Sequence, residues 1–318
     1  MGTSVVPIIP LADDDPGRLI KGLIDDTARA GGTEASLDDL FISCPDGTDP
    51  DELRTAFSTI LSVGTQRTIV TESSDALITT FPAHCREILP RLLDASDMPR
   101  AALIGHLHAD REKAPGLAGK LTEEIIGVLT ESGVGIYANF GGSQFRLGKA
   151  RWLDCLAKLS CFQLDLQEMR QFFGGDKTAS LSEILDWFAY KCTVVITMER
   201  IGAVGRLKNS DSVVLAWAYN LSPQDVKDTT GAGDAFAAGL ARGALDSPID
   251  DDAALMAAMR RGSLWGAYAC TTLGGAKDCP NEVQLQEFAH SVDLMLETQA
   301  MPLAEAQPTL RLIDRIFQ

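Results

Sequence analysis

Val226-Lys-Asp-Thr-Thr-Gly-Ala-Gly-Asp-Ala-Phe236 sets two glycines around an alanine at the mouth of an apolar run that continues to Ala244. The run reads as a helix over 234–244, and Gly231 and Gly233 let the backbone ahead of it approach a ligand closely. The N–H groups of Gly231, Ala232 and Gly233, with the first free amides of the helix, then point at one spot. The helix dipole adds about half a positive charge there, so the spot suits an anion. A phosphoryl group in transit, its charge spread over equatorial oxygens, is such an anion. Asp234 starts the same helix and is placed to orient an alcohol and take its proton, and the positive helix end is expected to keep it ionised. A bare G-x-G-D would be read more simply as a helix start with packing glycines. The longer ordered run is the more specific signal.

Working outward, the chain from about residue 100 alternates short apolar strands with amphipathic helices, the pattern of a parallel sheet covered on both faces. Strands are expected at 101–105, 134–138, 160–164 and 193–197, with helices at 118–132, 152–158, 166–173 and 181–189 between them. Segments 203–206 and 213–218 around Asn209 to Asp211 read as a hairpin appended to that sheet, followed by helices at 234–244 and 252–271. The first hundred residues are richer in acids, prolines and turn residues, with one two-strand pattern at 65–71 and 76–81. No internal repeat or long linker interrupts the chain, so one body over 1–318 is expected, residues 1–100 supplying a lid and substrate-side elements.

The 318 residues are 45% apolar and 23% charged, enough to bury a large core. Forty-four acidic against 28 basic residues give a net charge of −16, a field that repels nucleic acid and anionic membrane surfaces. The acidic runs at Asp13 to Asp15 and Asp250 to Asp252 read as solvated turns or helix starts. Seven scattered cysteines without a C-x-x-C pair read as reduced, mostly buried thiols. With no signal peptide and no apolar stretch near the ~20 residues of a membrane span, a cytoplasmic setting is expected. His106 and His108 are too few ligands for zinc and read as core or rim histidines. Phosphate-loop, dinucleotide, zinc-protease and nucleophile-elbow motifs do not occur.

Asp228-Thr-Thr-Gly-Ala-Gly-Asp-Ala-Phe236 resembles the second signature of the ribokinase-like, or PfkB, family of carbohydrate and nucleoside kinases. The resemblance implies a three-layer α/β/α fold with a mostly parallel central sheet and a small β lid. It implies ATP with Mg²⁺ as phosphoryl donor, Asp234 as base, and the 231–234 amides as the anion hole. In members that use a monovalent cation, positions matching Asp228 and Thr230 help bind K⁺. Leu273-Gly-Gly-Ala-Lys-Asp-Cys-Pro280 resembles the closing segment at the adenine pocket, which brings in Gly275. Asn139, after a strand, matches a substrate-side Asn, although a turn-forming Asn accounts for it equally well. Nucleotide contacts are thus implied at Asp165, Glu168, Thr197, Glu199, Gly202, Thr230 and Gly275, with Glu168 also toward the metal. A sugar or nucleoside is the implied partner, and a homodimer is left open.

The family pattern is broken in three places. Its N-x-x-E pair appears as Asp165 and Glu168, and its T-x-G turn as Thr197-Met198-Glu199, which puts a carboxylate where glycine is expected. The first signature has no clear counterpart: Gly31-Gly32 is a weak candidate and Asp13 to Asp15 a weaker one. Lys227 and Lys277 are the nearest cations for a triphosphate. These departures motivate a rival reading, a nucleotide- or sugar-binding protein that has lost turnover, and a third, a kinase with an unusual acceptor.

Overall fold

The computed structural model describes all residues except 1–4, 31–36, 38, 39, 43–48, 50, 51, 64, 65, 73, 97, 108–118, 175–178, 275–278, 293–296 and 318, and describes the strands at 57–63 and 66–72 by backbone alone. The chain divides into two compact units, Met1–Met98 and Pro99–Gln318. Gly31, Gly32, His108, Gly275 and Lys277 lie outside the described residues.

The first unit holds α1 (Asp15–Ala30), an antiparallel ribbon of β1 (Phe57–Val63) and β2 (Gln66–Glu72), and α2 (Asp75–Leu93). The strand expected at 65–71 is β2, but its partner precedes it, and 76–81 is helix. Ser74 accepts a hydrogen bond from the Leu77 amide as N-cap, and the buried residues Leu77, Phe81, Cys85 and Ile88 recur at helical spacing beyond the short stretch 76–81. The acid run 13–15 is a helix start. Asp14 accepts from the amides of Gly17 and Thr55 and from the Thr55 hydroxyl at 2.7 to 2.8 Å. Burial alone would raise its carboxyl, but these bonds outweigh burial and hold it below the ordinary aspartate value.

The second unit is built on a seven-stranded sheet in the order β3 (Ala101–Ile104), β4 (Gly135–Asn139), β5 (Cys161–Asp165), β6 (Thr193–Thr197), β7 (Gly202–Arg206), β8 (Ser212–Trp217) and β9 (Gln299–Pro302). The first four strands run parallel and the remaining pairings are antiparallel, so the sheet is mixed, with its parallel part first. The parallel strands are separated by α3 (Lys120–Glu131), the short turns α4 (Gly142–Phe145) and α5 (Leu153–Leu156), α6 (Leu166–Phe172) and α7 (Leu181–Phe188). The hairpin expected after the buried strand is β7–β8.

Two helix layers cover this sheet. One is α8 (Ala232–Asp246) with α9 (Asp252–Cys270), whose Phe236, Leu240, Leu255 and Met259 pack with Val195, Ala203 and Val214. Glycines let these helices cross closely: a Cβ on Gly239 or Gly262 would come within 2.9 Å of the Arg261 or Phe236 carbonyl oxygen. The other layer contains α6, α7 and α11 (Leu303–Ile316), around the aromatic cluster Phe162, Phe172 and Phe188. A buried ion pair locks α11 on, Arg170 to Asp314 at 3.1 Å, and Asp314 also accepts the Leu181 amide at the start of α7. α10 (Glu282–Ser291) follows α9. Among the described residues no helix is long and apolar enough to cross a membrane. Cys85, Cys155, Cys161 and Cys192 are buried thiols.

Candidate active site

The loop ahead of α8 is held from two sides. The Cys270 carbonyl, at the end of α9, accepts from the amides of Lys227 at 2.8 Å and Asp228 at 3.3 Å. One Asp228 carboxylate oxygen accepts the Thr230 amide at 2.9 Å and the other the Gly274 amide at 3.2 Å. Asp228 thus ties the glycine loop to the segment after α9, and this backbone work accounts for an aspartate there without a cation.

Gly231 takes the left-handed conformation, φ 77°, and has no side chain to cap the helix. The Ala232 amide bonds Thr229 and the Ala235 amide bonds Gly231, which leaves the amides of Gly233 and Asp234 without an acceptor among the described residues. A Cβ on Gly233 would meet nothing within 4 Å, so this helix end is open. Of the amides expected from the sequence to face a ligand, that of Ala232 is thus engaged by Thr229, while those of Gly233 and Asp234 have no acceptor among the described residues.

Asp234 is reachable by solvent yet crowded by protein, and this burial raises its carboxyl above the ordinary aspartate value. The direction is opposite to the one expected from the helix dipole, because desolvation of the charged form outweighs it here.

Glu168 stands within the electrostatic reach of both Asp165 and Asp234. Burial first, then the charges of Asp165 and Asp234, push it up to about 7. Asp165 and Glu168 form a capping box at the start of α6: the Asp165 carboxylate accepts the Glu168 amide at 2.8 Å, and Glu168 accepts the Asp165 amide at 3.3 Å. Burial raises Asp165 too, against the pull of those amides. Aspartate caps as well as the expected asparagine, so the exchange keeps the local geometry and adds a negative charge.

Hard carboxylate oxygens at Asp165 and Glu168 suit Mg²⁺, which takes one or two carboxylates and keeps water and phosphate oxygens for the rest. Among the described residues no group of three or more His, Cys, Asp or Glu is arranged to hold a metal ion. The donor set fits a metal that arrives with phosphate and does not form a resident cage.

The C-terminal ends of β4, β5 and β6 carry a polar ladder. The Asn139 amide donates to Gln163, and Gln163 donates to the Thr197 hydroxyl at 3.3 Å. Register explains the meeting: Asn139 pairs with Gln163, and Asp165 with Thr197. Ligands of open α/β sheets sit at such strand ends. Gln163 went unnoticed in the sequence, where only its position in strand 160–164 could have marked it.

After β6, the turn is closed by the Met198 amide bonding the Gly202 carbonyl at 2.7 Å. Glu199 adopts φ 49°, the left-handed region that glycine fills easily, so the chain keeps the glycine conformation with a glutamate in it. Gly202 has φ 128° and is buried, and a Cβ there would lie 2.2 Å from the Ala216 carbonyl oxygen. Sheet packing alone demands glycine at 202. Beside the turn, Gln167, Glu199, Arg200, Ile201, Ile316 and Phe317 line a cleft of about 330 Å³.

Fold and site together define an α/β protein with an uncapped helix N-terminus at Gly231 and a crowded group of carboxyls at Asp165, Glu168 and Asp234. Residues 51–282 match the pfkB family of carbohydrate kinases. The chain belongs to that family, and the match spans both compact units. Its fold is similar to the nucleoside kinase of Burkholderia thailandensis in complex with inosine, at 18% identity, covering 91% of this chain and 80% of that one, TM-score 0.60. It is similar to the ribokinase of Giardia lamblia at 14% identity, covering 90% and 82%, TM-score 0.64. It is also similar to the fructokinase of Vibrio cholerae O395 with bound fructose, ADP and calcium ion, at 20% identity, covering 87% and 83%, TM-score 0.60. No curated protein matches the chain in sequence.

Proposed function

We propose that the protein is an ATP-dependent phosphotransferase acting on a hydroxyl of a sugar or nucleoside. The observation that carries this reading is the start of α8, where the Gly233 and Asp234 amides have no acceptor among the described residues and Asp234 carries its carboxyl at the same helix start. Asp234 orients the acceptor hydroxyl and takes its proton as the oxygen attacks phosphorus. Within the loop 231–234, the free amides of Gly233 and Asp234 hold the oxygens of the migrating phosphoryl group, where preorganised donors need no rearrangement as charge develops. A carboxyl raised toward neutrality is the better proton acceptor once ionised. Glu168, with Asp165, would hold Mg²⁺ on the side facing the donor. Mg²⁺ bound with the nucleotide would offset the phosphate charge and relieve the repulsion that raises Glu168.

Asn139, fixed by Gln163, is the unit's substrate-side polar group, and Thr197, Glu199, Gly202 and Thr230 border the nucleotide. Gly275 is assigned to the adenine side and Asp228 with Thr230 to a K⁺ site by family resemblance. Residues 1–100 are assigned the lid and substrate-side elements by family resemblance. The setting is cytoplasmic.

The left-handed Glu199 favours one competing reading, a family member that binds without turnover. Both are tested by screening neutral sugars and nucleosides for ATP consumption alongside a MgATP titration. Turnover that collapses in Asp234→Ala supports the kinase. MgATP binding without consumption across the panel, or turnover within a few-fold of the parent in Asp234→Ala, refutes the assignment of the base.

A further inference from the structure

We infer that Arg200 is the cation that receives the phosphate chain of the donor nucleotide, in the cleft it shares with Gln167, Glu199, Ile201, Ile316 and Phe317. This rests on the kinase reading and deepens it. The loops around the site are rich in acid: Asp165, Glu168, Asp228 and Asp234, with Glu199 in place of the expected glycine. A polyphosphate carrying several negative charges needs more than amides and one metal ion among so many carboxylates. Lys227, singled out in the sequence, is exposed, and its described role is the backbone bond to Cys270. Arg200 is the one basic residue lining the cleft, it is exposed, and no described carboxylate lies within ion-pairing distance of it.

Three features place Arg200 for this task. Gln167, which lines the cleft, is the chain neighbour of Glu168 at the start of α6, and Glu199 of the β6–β7 turn also lines it. The turn that presents Arg200 is fixed, with the left-handed Glu199 before it and the closing bond from the Met198 amide to Gly202 across it. A guanidinium also meets phosphate oxygens in pairs, a geometry that lysine lacks. Glu199 on the same rim makes the cation necessary, since a carboxylate beside a polyphosphate has to be offset.

The test is calorimetric titration of the parent, Arg200→Ala, Arg200→Lys and Arg311→Ala with MgADP and with adenosine. Arg311 is exposed on α11 and controls for loss of one positive charge. Arg200→Ala should weaken MgADP ten- to a hundredfold, about the effect of a charge-assisted phosphate contact. Adenosine should stay within about twofold, Arg200→Lys should be intermediate, and Arg311→Ala should match the parent. A folded Arg200→Ala that binds MgADP within twofold of a parent that does bind it overturns the role of Arg200 and leaves the kinase reading standing. Equal loss of MgADP and adenosine also overturns it. A parent that binds neither nucleotide and consumes no ATP overturns the kinase reading, and this inference with it.

Discussion

The two helices that cover one face of the sheet start in opposite ways. α9 begins with Asp251, whose carboxylate accepts the Ala254 amide at 2.7 Å, so one of its free amides is satisfied within the chain. α8 begins with left-handed Gly231 and no capping side chain, the Gly233 and Asp234 amides have no acceptor among the described residues, and a Cβ on Gly233 would meet nothing within 4 Å. A left-handed glycine alone does not create a site: α3 also follows one, Gly119, but there a Cβ would come within 2.7 Å of the Trp152 ring, so the position is covered. The difference teaches that a helix start becomes available to an anion when its cap is absent and its approach is clear, and that the neighbours decide the second condition.

The sharpest way to break the comparison is at Asp234. Asp234→Ala should lower kcat by about a thousandfold, within the usual range for losing a proton acceptor, while MgATP binding and thermal unfolding stay close to the parent. Steady-state kinetics with the best acceptor, beside a binding titration, check this.

Glu168 should mark the carboxyl group through pH. Its folded value of about 7 lies above the ordinary 4.5, so the folded protein holds more protons between those values. Stability should then fall as pH rises from about 4.5 to 7, by roughly 2 kcal/mol after allowing for partial solvent screening. Glu168→Gln should flatten that slope in urea unfolding measured across the window. Added Mg²⁺ with nucleotide should reduce it in the parent.

The two glycines separate conformation from space. Gly231→Ala should cost about 1 kcal/mol of stability, because the residue must stay left-handed. Gly233→Ala should cost nothing in unfolding experiments, since its Cβ meets no protein atom, yet it should slow phosphoryl transfer if that open space receives the phosphoryl group. Unchanged kinetics in Gly233→Ala would mean that the space serves no ligand. The smallest effect is expected at the capped helix: Asp251→Ala should lose somewhat less than about 1 kcal/mol and leave kcat/KM unaltered.

Much of this was legible locally. The hairpin β7–β8, the strand 193–197 and the loop running into α8 follow from periodicity and turn residues, and these interactions reach only a few positions along the chain. The strand misplaced at 76–81 shows how little six residues decide, since a short stretch of apolar residues and threonines also fits the start of α2, where the Ser74 cap settles the matter. The upward shift of the Asp234 carboxyl was hidden for another reason: a dipole can be read from a helix start, whereas crowding depends on elements distant in sequence. Glu199 is an instructive middle case. Its departure from the expected glycine was visible, but the left-handed backbone it adopts emerged only from the closed turn between β6 and β7.

The sequence by itself determined the alternation of strands and helices from about 100 to 271, the family, and the identity of the loop with its aspartate, because each is encoded within a span that one helix turn or one hairpin can hold. Only the tertiary structure decided that Glu168 comes within the field of Asp234, that Asn139 is fastened by Gln163, and that Arg200 shares a cleft with the last residues of α11. Those meetings join residues tens to more than a hundred positions apart, and strand register and helix packing bring them together.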